Sequence, residues 1–371
     1  MSLKPFLPVA ACLIASSLAG ADYYLDNVKG SDSNSGLKDA PMATFKALEK
    51  KLAPGDNVFL NPTGKIYRQE FVIYSAGGKP GKYLTINGNG QTVSGSEIIP
   101  ASSWKKISDG VYKAEKTMAK VGLIVDNKVV LEQLNRDSLK PGEWCWRAQD
   151  KIFYYMPDKN HPIKGTKFEV TMVDGSNTSL DPAKFQHSHS KIGAKRYRNL
   201  KEVVKLTVNG KVAKRGWAKD SLKPGNWNRT GNDIYYRPTS GADVRKQKIE
   251  AMVRGNGFAL AKNASYVKVF NVNAQHVYND GYNIHNNLKG VIFDQCNARQ
   301  CGDEGVSAHG TCEITFTNSV IRECDNGMNH VQDAKSVTRN IYIADCRNNG
   351  IEFQGGKKSC HSVENAVLVN N

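Results

Sequence analysis

Short apolar segments recur at a nearly constant interval in the last third of the chain, and each one follows a glycine. The glycines close four similar tripeptides, namely Asn279-Asp280-Gly281, Asp303-Glu304-Gly305, Asp325-Asn326-Gly327 and Asn348-Asn349-Gly350. Their spacings are 24, 22 and 23 residues. Apolar and polar residues alternate after each glycine, which predicts strands that bury one face. A second apolar segment about 12 residues before each glycine predicts another strand in every repeat.

A fixed period near 23 residues with two or three short strands per repeat is typical of a parallel β-helix. A leucine-rich repeat has a similar period but needs leucine at fixed positions, which these repeats lack. We therefore predict an all-β chain whose residues 254–371 wind as a right-handed parallel β-helix. The segment 367–371 begins a further coil, so these coils are expected to be truncated or to end without a cap. The equivalent turns are expected at Asn271, Asp294, Asn318 and Asp345.

The segment 22–120 is predicted to hold an N-terminal capping helix and the first coils. Alternating apolar residues indicate strands at 57–60, 71–74 and 84–86, and Thr44 is placed to cap a short helix that Pro54-Gly55 would stop. A parallel coil has unpaired strand edges at its open end, so a helix or loop is expected to cover them.

Residues 121–253 are predicted to be a duplicated β-rich insertion. The segment Asp137–Trp144 returns 83 residues later as Asp220–Trp227, and Ile152–Pro157 returns as Ile234–Pro238. Each copy has the pattern of two strands around a turn. Its Trp and Tyr residues either form a core or lie exposed, where they could stack on sugars.

The first 21 residues have the pattern of a secretory signal peptide. Lys4 precedes an apolar stretch from Phe6 to Leu18, and Ala19-Gly20-Ala21 is a cleavage site of the small-x-small type. No later apolar run approaches the roughly 20 residues of a membrane span. We expect a secreted, periplasmic or cell-surface protein without a membrane span, and a monomer.

Six of the eight cysteines lie after residue 295, in the predicted coils. Signal removal would leave seven, an odd number that cannot pair completely within one chain. Cys301, Cys324 and Cys346 lie three or four residues before their glycines, so we expect them to stack inside the coil. A disulfide between Cys301 and Cys324 stays open, because an exported protein can form one.

The net charge of +16 is concentrated before the predicted coils. Residues 251–371 carry 11 basic and 11 acidic side chains, whereas residues 22–250 carry 39 basic and 24 acidic ones. The dense part is 191–219, and such a field attracts polyanions. For an exported protein an anionic polysaccharide is a better partner than nucleic acid, although a merely soluble basic surface would have the same charge.

Carboxylates and histidines of successive repeats are expected to stack on one face of the coil. Since neighbouring coils lie about 4.8 Å apart, His285 and His309 would repel each other if both were charged, so at least one should be neutral near pH 7. The predicted catalytic residues are Asp303, Glu304, His309, Asp280, His285 and Asp325. The predicted substrate-binding residues are Asn283, Ser307, Asn329, Lys289 and Arg322. Asp and Asn before Gly also serve turn geometry alone, which is the competing interpretation.

The N-terminal segment resembles the start of many secreted β-helix carbohydrate enzymes. The residues that carry this resemblance are Gly30 to Gly36, Ala40-Pro41, Thr44, Pro54-Gly55-Asp56 and Tyr67-Arg68-Gln69.

The acidic turns resemble those of the pectate-lyase-like superfamily of secreted polysaccharide-active enzymes. Polygalacturonase-type members carry Asn-Thr-Asp, then Asp-Asp one coil later, then Gly-His-Gly and Arg-x-Lys. Asp280 matches the first Asp, and Asp303 with Glu304 matches the pair. This sequence departs from that pattern, because no Thr precedes Asp280, His330 follows Asn329 rather than Gly, and no Arg-x-Lys follows in register. The resemblance implies the fold and a polysaccharide substrate, and leaves the specific family open.

We therefore predict a secreted glycoside hydrolase that acts on an acidic or decorated polysaccharide, with Glu304 as the acid. One alternative is a polysaccharide lyase, which would need a cation such as Lys289, Arg299 or Arg322 beside the His pair. Another is a non-catalytic carbohydrate-binding or surface protein. No metal or other cofactor is expected, apart from calcium at a loop that resembles part of a calcium site, with Asp32, Asn34 and Gly36.

Overall fold

The computed structural model describes thirteen stretches of the chain: 20–108, 111–114, 122–130, 139–147, 152–163, 168–172, 177–187, 195–197, 203–208, 211–212, 222–230, 233–239 and 242–371. The predicted signal peptide lies almost entirely outside these ranges, and so does most of the basic segment 191–219. None of the helices within them has the length and apolarity that crossing a membrane requires.

The N-terminal part contains four strands and one helical turn. The strands are β1 (Asp22–Leu25), β2 (Asn57–Leu60), β3 (Phe71–Ile73) and β4 (Leu84–Ser94). The helix α1 (Phe45–Leu48) is capped by Thr44, whose Oγ1 accepts a hydrogen bond from the Ala47 amide, and it continues as a 3-10 turn at Glu49–Lys51. Phe45 stacks on Phe71 with ring centroids 4.5 Å apart, so this single turn packs against β3.

Sixteen further strands form four antiparallel sheets of four strands each, within the described residues between 96 and 252. They are β5 (Ser96–Ile99), β6 (Trp104–Ser108), β7 (Val111–Ala114), β8 (Leu123–Val125), β9 (Lys128–Val130), β10 (Trp144–Arg147), β11 (Ile152–Tyr155), β12 (Phe168–Met172), β13 (Asn177–Leu180), β14 (Gln186–His187), β15 (Lys195–Tyr197), β16 (Val203–Val208), β17 (Lys211–Val212), β18 (Asn226–Thr230), β19 (Asp233–Arg237) and β20 (Ile249–Met252). Short 3-10 turns lie at Ala101–Ser103, Pro182–Lys184 and Val244–Lys246.

The duplicated sequence forms two antiparallel hairpins, β10–β11 and β18–β19. Trp144 pairs with Tyr155 in the first hairpin, and Trp227 pairs with Tyr236 in the second. All four side chains are buried, so these aromatics form cores and are not platforms for sugars. The antiparallel strands begin at Ser96, earlier than residue 121, because β5 pairs with β20 and β7 pairs with β19.

The remaining strands build the coils that follow the insertion. They are β21 (Phe258–Leu260), β22 (Val267–Gln275), β23 (Tyr282–Ile284), β24 (Val291–Arg299), β25 (Glu304–Ala308), β26 (Glu313–Arg322), β27 (Asn326–Gln332), β28 (Lys335–Ala344), β29 (Ile351–Gly355) and β30 (Cys360–Val369). One parallel sheet has the order β1-β2-β4-β22-β24-β26-β28-β30, and the other has the order β3-β21-β23-β25-β27-β29. The chain is thus a right-handed parallel β-helix, as the repeat period predicted.

The repeating glycines form a column along one edge of the six-stranded sheet. A Cβ added at Gly281 would lie 2.7 Å from the carbonyl oxygen of Gly305, and one added at Gly305 would lie 2.7 Å from that of Gly327. The strands after these glycines pair in parallel, which confirms the predicted register. The column begins one coil earlier than predicted, at Gly257, whose own Cβ would lie 2.7 Å from the Gly281 carbonyl oxygen.

A second column marks a corner within the long strands of the eight-stranded sheet. Asn271, Gln295, Asn318 and Asn340 each have φ of +53°, a left-handed conformation that Asn tolerates better than most residues. The Asn340 amide donates to Oδ1 of Asn318 at 2.9 Å, so the column is also a hydrogen-bonded ladder. The prediction of Asp294 and Asp345 at this corner is wrong, because register pairs Asn271 with Gln295 and Asn318 with Asn340.

The cysteines of the coils belong to its interior. Cys301, Cys324 and Cys346 are buried and carry free thiols, as the stacking prediction requires. Contact with the Cys324 thiol and burial together raise the pKa of Cys301 well above its ordinary value, so this thiol is protonated at neutral pH.

Candidate active site

Two columns of polar side chains face each other on the outer side of the six-stranded sheet. One column precedes the glycines and contains Asn256, Asp280, Glu304, Asn326 and Asn349. The other lies three residues further along each coil and contains Asn283, Ser307, Asn329 and Glu352, whereas Ala259 has the same place in the coil before them. Hydrogen bonds join the columns, because the Asn283 amide donates to Asp280 and the Asn329 amide donates to Oε1 of Glu304 at 3.2 Å. These bonds pair the carboxyl groups with amide donors, whereas among the described residues Oδ1 of Asn326 and Oδ1 of Asn329 are buried without a hydrogen-bond partner.

Three carboxyl groups meet in this region. One oxygen from each of Asp280, Asp303 and Glu304 lies within 4.8 Å of the other two. Asp280 is only 1% exposed and Glu304 is 7% exposed, whereas Asp303 is half-buried. Asp303 is therefore the member of the cluster that solvent or a ligand reaches most easily.

Asp280 is the most deeply buried carboxyl group of the cluster. Burial, followed by the hydrogen bond and charge of Glu304, raises the pKa of Asp280 to about 9, so this carboxyl holds a proton at pH 7. Its Oδ2 accepts from the amides of Asn279 and Asn283, and its Oδ1 accepts from the backbone amide of Glu304 at 3.1 Å. In the protonated state Asp280 is the donor in its hydrogen bond with the Glu304 carboxylate.

Asp303 has a smaller shift in the same direction. Burial and the neighbouring carboxylates of Glu304 and Asp325 raise the pKa of Asp303 to about 6, although Arg347 opposes the rise. Arg347 lies two coils beyond Asp303 and one coil beyond Asp325, and its Nε is 3.0 Å from Oδ1 of Asp325. A carboxyl with this pKa exchanges its proton close to neutral pH, which suits acid–base catalysis.

Glu304 is held from the next coil. The side-chain amides of Asn326 and Asn329 donate to its Oε1 at 3.3 and 3.2 Å. The backbone also stacks in register here, because the Asp303 amide donates to the carbonyl of Asn279 at 3.1 Å. These contacts fix the height of each carboxyl group along the coil axis.

The two histidines stack beside the carboxyl cluster. The rings of His285 and His309 have centroids 4.3 Å apart and planes 9° apart. Burial lowers the pKa of His285, and burial together with the charge of His285 lowers the pKa of His309, so both are neutral near pH 7. Nε2 of His309 lies 2.7 Å from the Ser307 hydroxyl. The prediction that at least one of the pair should be neutral therefore has a geometric basis.

A hydrogen-bonded chain extends from the cluster towards the N-terminal end of the sheet. Oε1 of Glu70 accepts from the backbone and side-chain amides of Asn256 at 3.0 and 2.8 Å. Oδ1 of Asn256 in turn accepts from the Asn279 amide at 3.0 Å, and that same amide donates to Asp280. A residue 210 positions earlier in the sequence thus helps to orient the buried carboxyl.

Several predicted binding residues have other roles in the structure. Asn283 and Ser307 were expected to face solvent, but both are buried because they bond to Asp280 and His309. Lys289 precedes the eight-stranded sheet, where its backbone bonds to Ser265 and Tyr266. Arg322 lies at the end of β26 and packs on the ring of Tyr342 at 5.1 Å. Within the described residues neither cation has a contact with the carboxyl cluster or the His pair, and their role in binding substrate stays a prediction.

Three residues that position the carboxyl groups and follow the repeat were not predicted as site residues, namely Asn256, Asn326 and Arg347. The repeat period contains the signal for all of them. Asn256-Gly257 lies 24 residues before Asp280-Gly281, and Asn326 lies 22 residues after Glu304. Arg347 follows Asp325 by 22 residues, so an ion pair between adjacent coils could have been inferred from spacing alone.

The carboxyl cluster is also the one place in the described residues where three side chains could hold a metal ion. Carboxylate oxygens are the ligands that calcium and magnesium prefer. The side chains of the loop expected to bind calcium make hydrogen bonds within the protein. Both side-chain oxygens of Asp32 accept from Thr44 at 2.8 Å. The Asn34 side chain donates to the carbonyl of Pro41.

Comparisons with known proteins agree with the fold. A family model described as "Right handed beta helix region" matches residues 228–371. Of the solved structures, a complex of XylC with xylose is 13% identical, with a TM-score of 0.48, and covers 94% of this chain and 63% of its own. A GH136 lacto-N-biosidase from Eubacterium ramulus is 10% identical in two structures, a selenomethionine derivative and the native protein, with TM-scores of 0.35 and 0.33. These matches cover 95% and 93% of this chain and 59% and 55% of the biosidase.

This chain spans about three fifths of the length of the solved structures that it matches. No curated protein matches it. The site chemistry therefore has to be argued from the residues of this chain.

Proposed function

We propose that this protein is a glycoside hydrolase that cleaves a polysaccharide on the outer face of the six-stranded sheet. The observation that carries the proposal is the cluster of three carboxyl groups within 4.8 Å, of which Asp303 is the accessible one and has a pKa raised to about 6. Glycoside hydrolysis needs one carboxyl group that donates a proton and another that activates water or attacks the sugar.

Asp303 acts as the general acid in this proposal. The sequence interpretation gave that role to Glu304, because crowded carboxylates raise one another's pKa. Asp303 is the better acid, because burial and the neighbouring carboxylates raise its pKa to about 6 and leave a protonated fraction near neutral pH. It is also half-buried and therefore within reach of a ligand. A leaving oxygen of a glycan laid on the sheet would receive this proton.

Glu304 acts as the second carboxyl group, and Asp280 positions it. The amides of Asn326 and Asn329 hold one oxygen of Glu304, and protonated Asp280 donates to the carboxylate from below. Glu304 is the carboxylate that attacks the sugar or activates water in this proposal, since one of its oxygens lies within 4.8 Å of one oxygen of Asp303.

His309 supplies a neutral imidazole at the edge of the site. Its lowered pKa keeps it uncharged near pH 7, and its Nε2 is paired with the Ser307 hydroxyl. A neutral imidazole can accept a proton, and this same feature is what a lyase would use to remove the proton next to a uronate carboxyl. The lyase therefore remains the second candidate.

The test is turnover of the full chain on a panel of neutral, carboxylated and sulfated polysaccharides. New reducing ends without ultraviolet absorbance from an unsaturated uronate are expected for hydrolysis, whereas that absorbance would establish the lyase. Asp303→Asn and Glu304→Gln should each lower turnover about a hundredfold or more.

Matched controls make the same chemical changes away from the cluster. Asp345→Asn alters an exposed corner residue whose φ of +59° suits Asn, and Glu313→Gln removes an exposed pairing with Lys335. Both controls should keep wild-type turnover. Near-normal activity of Asp303→Asn and Glu304→Gln on a confirmed substrate would overturn the proposal in favour of a purely structural role for these turns.

A further inference from the structure

We propose that a groove at the N-terminal end of the six-stranded sheet is a subsite for an anionic sugar residue, carboxylated or sulfated, of the same glycan that the carboxyl cluster cleaves. The inference rests on the proposed function for the identity of the ligand as a glycan. The groove itself is defined by geometry, with a volume of about 700 Å³, within the range of small-molecule sites.

Two lysines give the groove its free positive charge. Lys46 and Lys50 both line it, and they are four residues apart along α1 and the 3-10 turn that continues it. Residues at this spacing lie on the same side of a helical segment. Both side chains are exposed, and within the described ranges neither ammonium group has a hydrogen bond or an ion pair.

The acidic residues of the groove are already engaged within the protein. Both oxygens of Asp32 accept from Thr44. Oε1 of Glu49 accepts from the backbone amides of Tyr74, Ser75 and Ala76, and these bonds lower the pKa of Glu49 although burial opposes them. The oxygens of both carboxylates are therefore engaged within the protein and do not pair with the two lysines.

The two arginines that line the groove are likewise paired with carboxylates. Arg68 bonds to Glu250 at 3.0 Å, and Arg254 bonds to Glu97. The cations left to meet a ligand are thus Lys46 and Lys50. Two adjacent, strongly hydrated ammonium groups bind a carboxylate or a sulfate through charge-assisted hydrogen bonds.

An aromatic ring lies in the same groove and is aligned with the histidine pair. Tyr74 lines the groove and is 40% exposed. Tyr74 is the first residue after β3. In the next three coils the aligned residues, each the first after its strand pairing, are Ala261, His285 and His309. An exposed ring of this kind can stack on the apolar face of a sugar.

The alignment connects the groove to the carboxyl cluster along the coil axis. Two strand spacings separate β3 from β23 and three separate it from β25, or roughly 10–14 Å. Glu70 also links the two places, because it lines the groove and its Oε1 holds Asn256 in the chain that reaches Asp280. A glycan lying along the axis from Tyr74 would thus reach His285 and His309, the stacked pair beside the carboxyl cluster.

The experiment measures binding by calorimetry in the full chain carrying Asp303→Asn, so that turnover does not consume the ligand. The probes are oligogalacturonate, a sulfated galactan oligosaccharide and a neutral xylo-oligosaccharide of equal length. The double variant Lys46→Ala/Lys50→Ala should weaken binding of an anionic probe about tenfold or more and leave any neutral binding unchanged. Tyr74→Ala should weaken the anionic probe as well. The uronate and sulfate arms distinguish the two sources of negative charge.

The matched control is Lys357→Ala/Lys358→Ala, which removes two exposed lysines next to β29 at the opposite end of the same sheet. It should leave binding within twofold of the parent. Equal losses in the two double variants, unchanged binding in Lys46→Ala/Lys50→Ala, or no binding of either anionic probe would each overturn the subsite. If the wild type cleaves a glycan but Lys46→Ala/Lys50→Ala binds the anionic probes normally, the subsite is wrong and the proposed hydrolase stands. If the groove binds an anionic probe but no glycan is cleaved, the hydrolase is wrong and the subsite stands.

Discussion

The imidazole rings of His285 and His309 stack face to face across one coil, with centroids 4.3 Å apart. The parallel register imposes this contact, because the residues that follow β23 and β25 are one strand spacing apart. Two charged imidazoles would repel at this distance, so the stack is stable only when one ring or both are neutral. The fold thus produces a neutral base beside three carboxyl groups without any local sequence motif.

Replacing His285 with Ala should raise the pKa of His309. The charge of His285 and burial both lower this pKa, and the substitution removes the charge and admits solvent. The measurement is an NMR titration of the His309 ring protons. His161→Ala, at a half-buried histidine beside Asp158 in the insertion, is the control and should leave the His309 titration unchanged. A His309 pKa that stays constant or falls in His285→Ala would contradict the electrostatic coupling.

The proposed acid predicts a pH profile for hydrolysis. The pKa of Asp303 is raised to about 6, so the acid loses its proton above that pH and kcat/KM should fall about tenfold per pH unit. The profile is measured on the substrate identified by the polysaccharide panel. An activity that rises through pH 6 and is maintained to pH 8 would instead assign Asp303 as a base.

Arg347→Ala should move the same limb of the profile to higher pH. Arg347 lowers the pKa of Asp303 and pairs with Asp325, so its removal leaves the neighbouring carboxylates unopposed and the acid holds its proton longer. Arg339→Ala is the control, because Arg339 is similarly exposed and pairs with Glu364 on the eight-stranded sheet. A shift towards acid in Arg347→Ala, or equal shifts in both variants, would refute this assignment.

The coil could be predicted from the sequence because a period in the chain maps directly onto a period in space. Gly281, Gly305 and Gly327 identify the repeat in the sequence. They recur because the neighbouring backbones are so close that no side chain fits at these positions. The length of the insertion was less predictable. Strand β5 begins two residues after the coil strand β4, and only its pairing with β20, some 150 residues later, shows that it belongs to an antiparallel sheet.

The site could be predicted only in part, for a related physical reason. Sequence spacing placed Asp280, Asp303 and Glu304 in successive coils, and the structure brings these three together. Alternation did not reveal that Asn283 on the outer face would be covered and bonded to Asp280. Glu70 could not be found from the repeat, because the insertion lies between it and the later coils. Its partner Asn256 is 186 residues further along the chain.

Gly305→Ala should destabilise the coil. An added Cβ would lie 2.4 Å from Cγ2 of Ile321 and 2.7 Å from the carbonyl oxygen of Gly327, and the backbone atom cannot move without disturbing the next coil. Overpacking of this kind costs about 1–3 kcal/mol. The measurement is chemical unfolding. The control is Gly255→Ala, whose Cβ would meet its nearest atom, the Tyr278 hydroxyl, at 3.4 Å. Equal stability of the two variants would contradict the close backbone approach.

Asp280→Asn should change how stability depends on pH. Burial and Glu304 raise the pKa of Asp280 from about 3.8 in the unfolded chain to about 9 in the folded protein. Between these values the folded state binds one more proton than the unfolded state, so the free energy of unfolding falls as pH rises. The stabilisation is complete below about pH 4 and is lost as pH passes about 9, with an upper limit of about 1.4 kcal/mol per pH unit from this group.

An asparagine at this position is neutral throughout, so the variant should lack that part of the decline. Chemical unfolding of the wild type and the variant from pH 5 to pH 8 measures the difference between the two slopes. Asp345→Asn makes the same change at an exposed corner and should keep the wild-type slope. Parallel slopes for Asp280→Asn and the wild type would mean that Asp280 is ionised in the folded protein. Glu304 would then lack the proton donor that the proposed mechanism places beneath it, and a bound cation would be needed to hold the three carboxylates together.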